Sequence, residues 1–297
     1  MKYYGAFDVG GTAIKYGIVS SEGILNNIGK VKTPKTLQEF YNVIEKTFHS
    51  LNQLQQLEGL AFSLPGAVDS ETGIIGGSSA IDYIHGPNIK EEMGARIRKP
   101  VSMENDANCA ALAEVWLGAG KDVDDCMFIV SGSGIGGAVV KNKKIHKGIH
   151  LHGGEFGYMI AINDIEKEEF LTWSNAGSTV AVVNNVAKEL GVPPDTLDGK
   201  TIFDEANQNP IYQKYVNQFY YVLAMGVYNL QYVFDPKKII IGGAISQRDD
   251  LIENVNQRLD TIFSKLTHAK IRPEVVKCEF QNDANLIGAT YHFIHQL

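Results

Sequence analysis

Cysteine is scarce in this chain, and the three that occur, Cys109, Cys126 and Cys278, are odd in number and widely scattered. No disulfide framework and no CxxC metal pair follows from them, and a reducing cytoplasm is the compartment that fits. The formal net charge is −7 and no long Lys/Arg run occurs, which argues against non-specific binding to nucleic acid or to an anionic membrane surface. No apolar window is long enough to span a bilayer. Asp8 breaks the first apolar run, so no charged-then-apolar leader is expected. Low-complexity tracts and short-period repeats are absent as well. What is present is of globular type: 297 residues, 44% hydrophobic and 21% charged, enough for one large domain or two of ordinary size around a buried core.

The informative content lies in two glycine-rich stretches, each set between apolar runs. The first runs from Phe7 through Asp8, Gly10, Gly11 and Thr12 to Val19; the second runs from Met127 through Gly132, Ser133, Gly134 and Gly136 to Val140. A dinucleotide or Walker loop passes from a strand straight into a helix. Here an apolar, β-branched run follows each turn, so each stretch reads as a β-hairpin whose turn amides are free to face a phosphate. Two such hairpins point to two related lobes closing on one nucleotide.

Around them the chain alternates strand and helix signals, which predicts an α/β architecture. Helical spacing covers Thr36 to Leu54, richness in Ala, Leu and Glu marks a helix over Ala107 to Leu117, and helical regions follow at Thr179 to Leu190, Ile211 to Phe234 and Asp250 to Leu266, with a last helix over residues 283–296. Short strands are expected at Leu60–Leu64, Val101–Met103, Lys238–Ile241 and Val275–Phe280. Gly118-Ala119-Gly120 marks the main boundary. It places residues 1–117 with 283–297 in the first lobe and 118–282 in the second.

Each candidate site residue has a plain reading beside a chemical one. Asp8 is either a turn former or the carboxylate that holds Mg²⁺, directly or through its water shell, next to phosphates bound by Gly10, Gly11 and Thr12. Asn105 and Asp106 stand at a strand-to-helix junction, where capping is the usual role of such residues. The alternative makes Asp106 a base for a substrate hydroxyl, kept ionised by the helix N-terminus. Glu155, between Gly154 and Phe156-Gly157, is a loop acid or an acceptor for two neighbouring sugar hydroxyls. Gly242-Gly243 ends a strand or lets backbone approach an adenosine. His146, His150 and His152 lack partners at metal-ligand spacing and read as loop histidines.

Taken in order, Asp8-Val9-Gly10-Gly11-Thr12, Leu64-Pro65-Gly66, Glu104-Asn105-Asp106-Ala107-Asn108, Gly134-Ile135-Gly136-Gly137, Gly154-Glu155-Phe156-Gly157 and Asp235-Pro236 with Ile241-Gly242-Gly243 resemble the ROK family of repressors and sugar kinases. The resemblance spans nearly the whole chain. It implies the actin-like ATPase (ribonuclease H-like) fold, two lobes around a central cleft holding sugar and ATP. It makes Asp106 the catalytic base and Asn105 and Glu155 sugar ligands. By the same resemblance Asp8, Gly10, Gly11, Thr12, Gly132, Ser133, Gly134 and Gly136 bind ATP phosphates, with Gly242 and Gly243 near the adenosine. It also implies a homodimer.

Many family members carry a zinc loop, CxCGxxGCxE, with a His where this chain has Tyr158. Here no cysteine lies between Cys126 and Cys278, and the equivalent segment runs from Leu171 to Thr179, so no structural zinc is expected. The family's second sugar-contacting Glu has no clear counterpart; Ser174 and Asn175 occupy its neighbourhood. In lacking zinc the chain resembles bacterial β-glucoside kinases, which act on the 6-hydroxyl of a glucosyl unit. The expectation is therefore an ATP- and Mg²⁺-dependent sugar kinase. Glucokinase, N-acetylmannosamine kinase and a non-catalytic sugar-binding regulator are the alternatives. A DNA-binding repressor is disfavoured because only seven residues precede Asp8.

Overall fold

The structure, a computed structural model, describes residues 1–281 and 283–296. Its strands are β1 (Tyr3–Val9), β2 (Ala13–Ser20), β3 (Leu25–Lys32), β4 (Leu60–Leu64), β5 (Ala67–Asp69), β6 (Ile74–Gly76), β7 (Val101–Asn105), β8 (Cys126–Ser131), β9 (Ile135–Lys141), β10 (Lys144–Ile145), β11 (Ile160–Asp164), β12 (Glu169–Thr172), β13 (Lys238–Gly242) and β14 (Val275–Lys277). Its helices are α1 (Leu37–Leu54), α2 (Ile89–Ile97), α3 (Asp106–Leu117), α4 (Trp173–Gly177), α5 (Thr179–Leu190), α6 (Gly199–Asp204), α7 (Pro210–Phe234), α8 (Leu251–Lys265) and α9 (Ala284–Gln296). No helix of the described residues is long and apolar enough to cross a membrane. Residues 282 and 297, which end two of the expected lobe ranges, lie outside the described residues.

One unit comprises Met1–Asp122, Lys143–Gly153 and the chain from Glu279. Its sheet has the order β3-β2-β1-β4-β7. The first three strands are antiparallel, while β4 runs parallel to β1 and β7 parallel to β4. Alternation along β1 sorts the two faces. Phe7 and Val9 pack with Phe40, Ile44 and Phe48 of α1 and Met93 of α2. Tyr4 and Ala6 face Cys109 of α3 and Leu286, Ala289 and Phe293 of α9. The apolar residues of α1 recur every turn, and Thr36 caps it by accepting from the Glu39 amide. Helices α3 and α9 lie so close that a Cβ on Gly288 would overlap the Cys109 carbonyl.

The segment expected as a strand from Val275 to Phe280 stops at Lys277. Beyond it the amides of Glu279 and Phe280 donate to the fully buried Glu114 carboxylate at the end of α3, at 3.0 and 2.8 Å. Burial pushes the Glu114 carboxyl up, against those amide hydrogen bonds. Residues 143–153, which the glycine punctuation left with the later part of the chain, pack with the first unit. Lys147 is the tie: its ammonium reaches the Glu104 carboxylate and Ser70 Oγ, 2.8 and 2.9 Å away.

The other unit comprises Val123–Asn142 and Gly154–Cys278. Its own strands run β9-β8-β13-β14, with β8 and β9 antiparallel and β13 parallel to both β8 and β14. Helix α7 begins at Pro210, where a missing amide costs nothing, behind the Asn209 cap. It carries Phe219, Leu223, Val227 and Leu230 into a core shared with Ile239 and Ile241 of β13 and Val255 and Leu259 of α8. Trp173 fills the space that Gly226 leaves on α7.

Candidate active site

The first glycine turn is tighter than a free phosphate loop. The Gly10 amide donates to the Ala13 carbonyl at 3.1 Å and so closes the turn itself. The expectation that all turn amides are available is therefore corrected at this residue; Gly11 and Thr12 are the exposed part of the turn. Asp8 is held firmly. Its Oδ1 accepts from Ser63 Oγ at 2.8 Å and from Asn285 Nδ2 at 2.9 Å, and Ser63 lies directly beside it in the β1–β4 register. Hydrogen bonds to a charged acceptor, each worth about 1.5–3 kcal/mol, exceed the rotamer entropy of one short side chain, so the carboxylate keeps one orientation. Neither partner was foreseen: Ser63 reads as strand interior, and Asn285 is distant in sequence.

At the β7–α3 junction the capping role falls to one of the two neighbours. Asn105 is the N-cap: its Oδ1 accepts from the Asn108 amide at 3.2 Å, and its Nδ2 donates to the Gly66 carbonyl at 3.1 Å. Asp106 is the first residue of α3 and is exposed, with Oδ1 accepting from the Ala107 amide at 2.8 Å. A carboxylate at a helix N-terminus faces the positive end of the backbone dipoles and is favoured ionised. The Cys109 thiol registers the local field. Burial pushes it well above its ordinary value, and the charges of Glu104, Asp8 and Asp106 push it further. The charges of Asp8 and Asp106 thus both reach Cys109 on α3 of the first unit. Among the described residues no three His, Cys, Asp or Glu side chains group to hold a metal ion. A cation here would take most of its ligands from phosphate and water.

The second turn is built differently. The Gly132 amide donates to the Gly134 carbonyl at 2.9 Å, and Thr179 Oγ1, at the start of α5, donates to the Gly132 carbonyl at 2.9 Å. As at Gly10, that amide is engaged within the turn. Gly132 and Gly136 nevertheless have an unusual property. A Cβ on either would have nothing of this chain within 4 Å, and neither has a positive φ. Backbone conformation and internal packing give no reason for glycine there; room for a ligand to approach the backbone does. Gly242 and Gly243 are the opposite case. A Cβ on Gly242 would press on Phe128, and Gly243 has φ +87° with Ser131 behind it, so the fold alone accounts for both.

Glu155 is exposed on a turn fastened to the same hairpin. Gly154 (φ +102°) packs on the Gly137 carbonyl, and Gly157 packs on the Ile135 carbonyl and Ser174 Oγ. Ser174 Oγ accepts from the Ile135 amide at 2.9 Å. Its hydroxyl therefore belongs to the hairpin, and Asn175 is the exposed member of that pair. The second unit thus brings Glu155, Ser174 and the Gly132–Gly136 turn together. His146, His150 and His152 are exposed on their loop.

The chain is similar over nearly its whole length to known proteins. Over 301 residues the chain is 35% identical to a β-glucoside kinase of Listeria innocua serovar 6a, covering 98% of this chain and 97% of that one. A ROK family protein from Streptococcus pneumoniae TIGR4, solved in complex with sucrose, superposes with a TM-score of 0.91 at 34% identity over 99% of this chain and 98% of its own. A ROK family glucokinase from Streptomyces griseus, solved with glucose and AMPPNP, gives 0.77 at 26% identity over 97% of each chain. The α/β fold is the actin-like ATPase fold, as the motifs led one to expect. The ROK family profile matches residues 4–296, so motifs, fold and full-length similarity agree that the chain belongs to the ROK family.

Proposed function

We propose that this protein is an ATP-dependent sugar kinase that transfers the γ-phosphoryl group to the 6-hydroxyl of a hexose or β-glucoside, with cellobiose-type β-glucosides as its substrates. One observation carries the reading: an exposed carboxylate, Asp106, opens α3 in a chain similar from end to end to β-glucoside kinases. Asp106 takes the proton of the attacking hydroxyl. A base of ordinary strength suffices, because phosphoryl transfer depends mainly on alignment and charge neutralisation. Glu155 accepts hydrogen bonds from sugar hydroxyls. Asn105 contributes only the amide hydrogen not used on Gly66. Asn175 stands where the family has a second acid and is the polar group left to meet the sugar.

Gly11 and Thr12 on one turn, and Ser133 with the open backbone at Gly132, Gly134 and Gly136 on the other, receive the phosphates. Gly10 shapes its turn from within, and Gly242 and Gly243 form the strand end that the adenosine approaches. Asp8 would hold Mg²⁺, directly or through its water shell, and the ion would supply neutralising charge for the phosphoryl oxygens. The same reading takes a cytoplasmic setting, which an odd number of scattered cysteines with no CxxC pair supports, and a homodimer, which the family resemblance supports. A monomer mass by light scattering counts against the last.

The test is a coupled ADP-release assay over a sugar panel. Turnover of cellobiose-type β-glucosides above that of glucose and N-acetylmannosamine is expected. Preference for free glucose would move the protein to the glucokinase alternative, and no ADP release with any sugar would refute the kinase reading.

A further inference from the structure

Behind the Asn105–Asp106 junction lies a buried charge that the phosphoryl-transfer chemistry does not use. Glu104 is fully buried, yet it is ionised. Burial alone would push its carboxyl up, but the neighbouring His292 and Lys147 outweigh that and hold it below its ordinary value. Its two oxygens have separate tasks. Oε1 accepts from the Asn105 amide at 2.8 Å and from Asn108 Nδ2 at 3.0 Å. Oε2 faces Lys147 Nζ at 2.8 Å and His292 Nε2 at 3.2 Å, both at ion-pair distance without hydrogen-bond alignment.

Lys147 extends the connection. Its Nζ also donates to Ser70 Oγ and to the Val68 carbonyl, at 2.9 and 3.3 Å. Its carbonyl accepts from the Gly153 amide at 2.7 Å and closes the loop 147–153. A Cβ on Gly153 would overlap the carbonyls of His146 and Lys147, so that closure is fixed. The next two residues are Gly154 and Glu155. A continuous path therefore runs from the Asn105 amide through Glu104 and Lys147 to the chain that enters the Glu155 turn.

We propose that Lys147 is a positioning residue: through buried Glu104 it couples the Asn105–Asp106 junction to the loop that delivers Glu155. This rests on the reading of Glu155 as a sugar ligand and Asp106 as the base. A bare surface lysine would contribute little. Here the partner is a carboxylate with no access to water, so removing the cation leaves an uncompensated buried charge. The loop loses its anchor, and the junction loses the orientation of its acceptor.

The test compares Lys147→Met, Lys147→Arg and the double variant Glu104→Gln/Lys147→Met, which removes both charges and keeps a fold in hand if Lys147→Met alone is unstable. In Lys147→Met, kcat/KM for the sugar is expected to fall about 10²-fold, while KM for ATP stays within about two-fold. Hydrogen–deuterium exchange should rise across 147–153 and at the Asn105–Asn108 amides, with β1 and α1 unchanged. Lys147→Arg should restore most of the sugar kinetics. The double variant should cost less than the sum of Glu104→Gln and Lys147→Met, because both singles break one interaction. Unchanged exchange in 147–153 overturns the coupling, as does an equal rise of both KM values with a lower Tm. A wild-type protein inactive on every sugar would instead overturn the proposed function, since the exchange measurement needs no substrate.

Discussion

The two glycine hairpins share a topology and differ in what they are built to hold. In each unit an antiparallel hairpin leads a sheet whose next two strands run parallel: β2-β1-β4-β7 in one, β9-β8-β13-β14 in the other. The first turn is closed by the Gly10 amide on the Ala13 carbonyl, and the acid before it, Asp8, is fixed by Ser63 and Asn285. The second has no acid before its turn, Val130 and Ser131 standing there, and its Gly132 and Gly136 face open space. One hairpin presents an oriented charge and the other presents approachable backbone.

Variants can break that division of labour, beginning with Asp106 and Asp8 of the first unit. Asp106→Asn is expected to lower kcat by about 10²–10⁴-fold, the range for loss of a general base, while ATP affinity by calorimetry stays within about two-fold. Near-normal sugar phosphorylation by this variant removes Asp106 from the base role. Asp8→Ala should cost about 10²-fold in kcat and shift the Mg²⁺ titration to higher concentration; a magnesium midpoint that does not move breaks the link between Asp8 and the cation.

In the second hairpin the contrast is between ligand space and fold space. Gly132→Ala should leave Tm within about 1 °C yet raise KM for ATP about ten-fold, roughly 1.4 kcal/mol. Gly243→Ala, at φ +87°, should instead destabilise by about 1–3 kcal/mol. If Gly132→Ala destabilises as much as Gly243→Ala, the open face of the second turn is not reserved for a ligand.

The smallest effect expected is on acid stability. Glu104 has a folded-state pKa below its unfolded value of about 4.3. Its contribution is therefore complete above that value and is lost as pH falls through the depressed one. Thermal melts of wild type between pH 5 and 3 should show this loss, and Glu104→Gln should be flatter over the same window. Parallel curves would mean that the buried pair is already uncharged.

Much of this was legible in the sequence. Helix α1 follows from apolar periodicity, and α3 from a run rich in Ala, Leu and Glu behind the Asn105–Asp106 junction. The hairpins follow from glycine turns that run into β-branched residues rather than a helix. Of the pair read as possible caps, Asn105 is the cap and Asp106 is exposed, because a cap needs one side chain and leaves its neighbour outside. Periodicity gave no notice of Ser63 and Asn285 on Asp8, or of Thr179 on Gly132, since a hydrogen bond between distant segments leaves no local pattern. The end of β14 at Lys277 was hidden for the same reason: its cause is Glu114, on a different helix.

Local order in the chain by itself determined the family, the alternation of strands and helices, and which residues stand as candidates for the chemistry, because turn geometry and caps depend on neighbours within a few positions. Only the tertiary structure decided which glycines keep space for a ligand and which merely avoid a clash, since that depends on what other segments place beside an absent Cβ. It also decided that Glu104 is a charge without water. A carboxylate looks the same in any sequence, and its energy is set by the lysine and histidine that the fold brings to it.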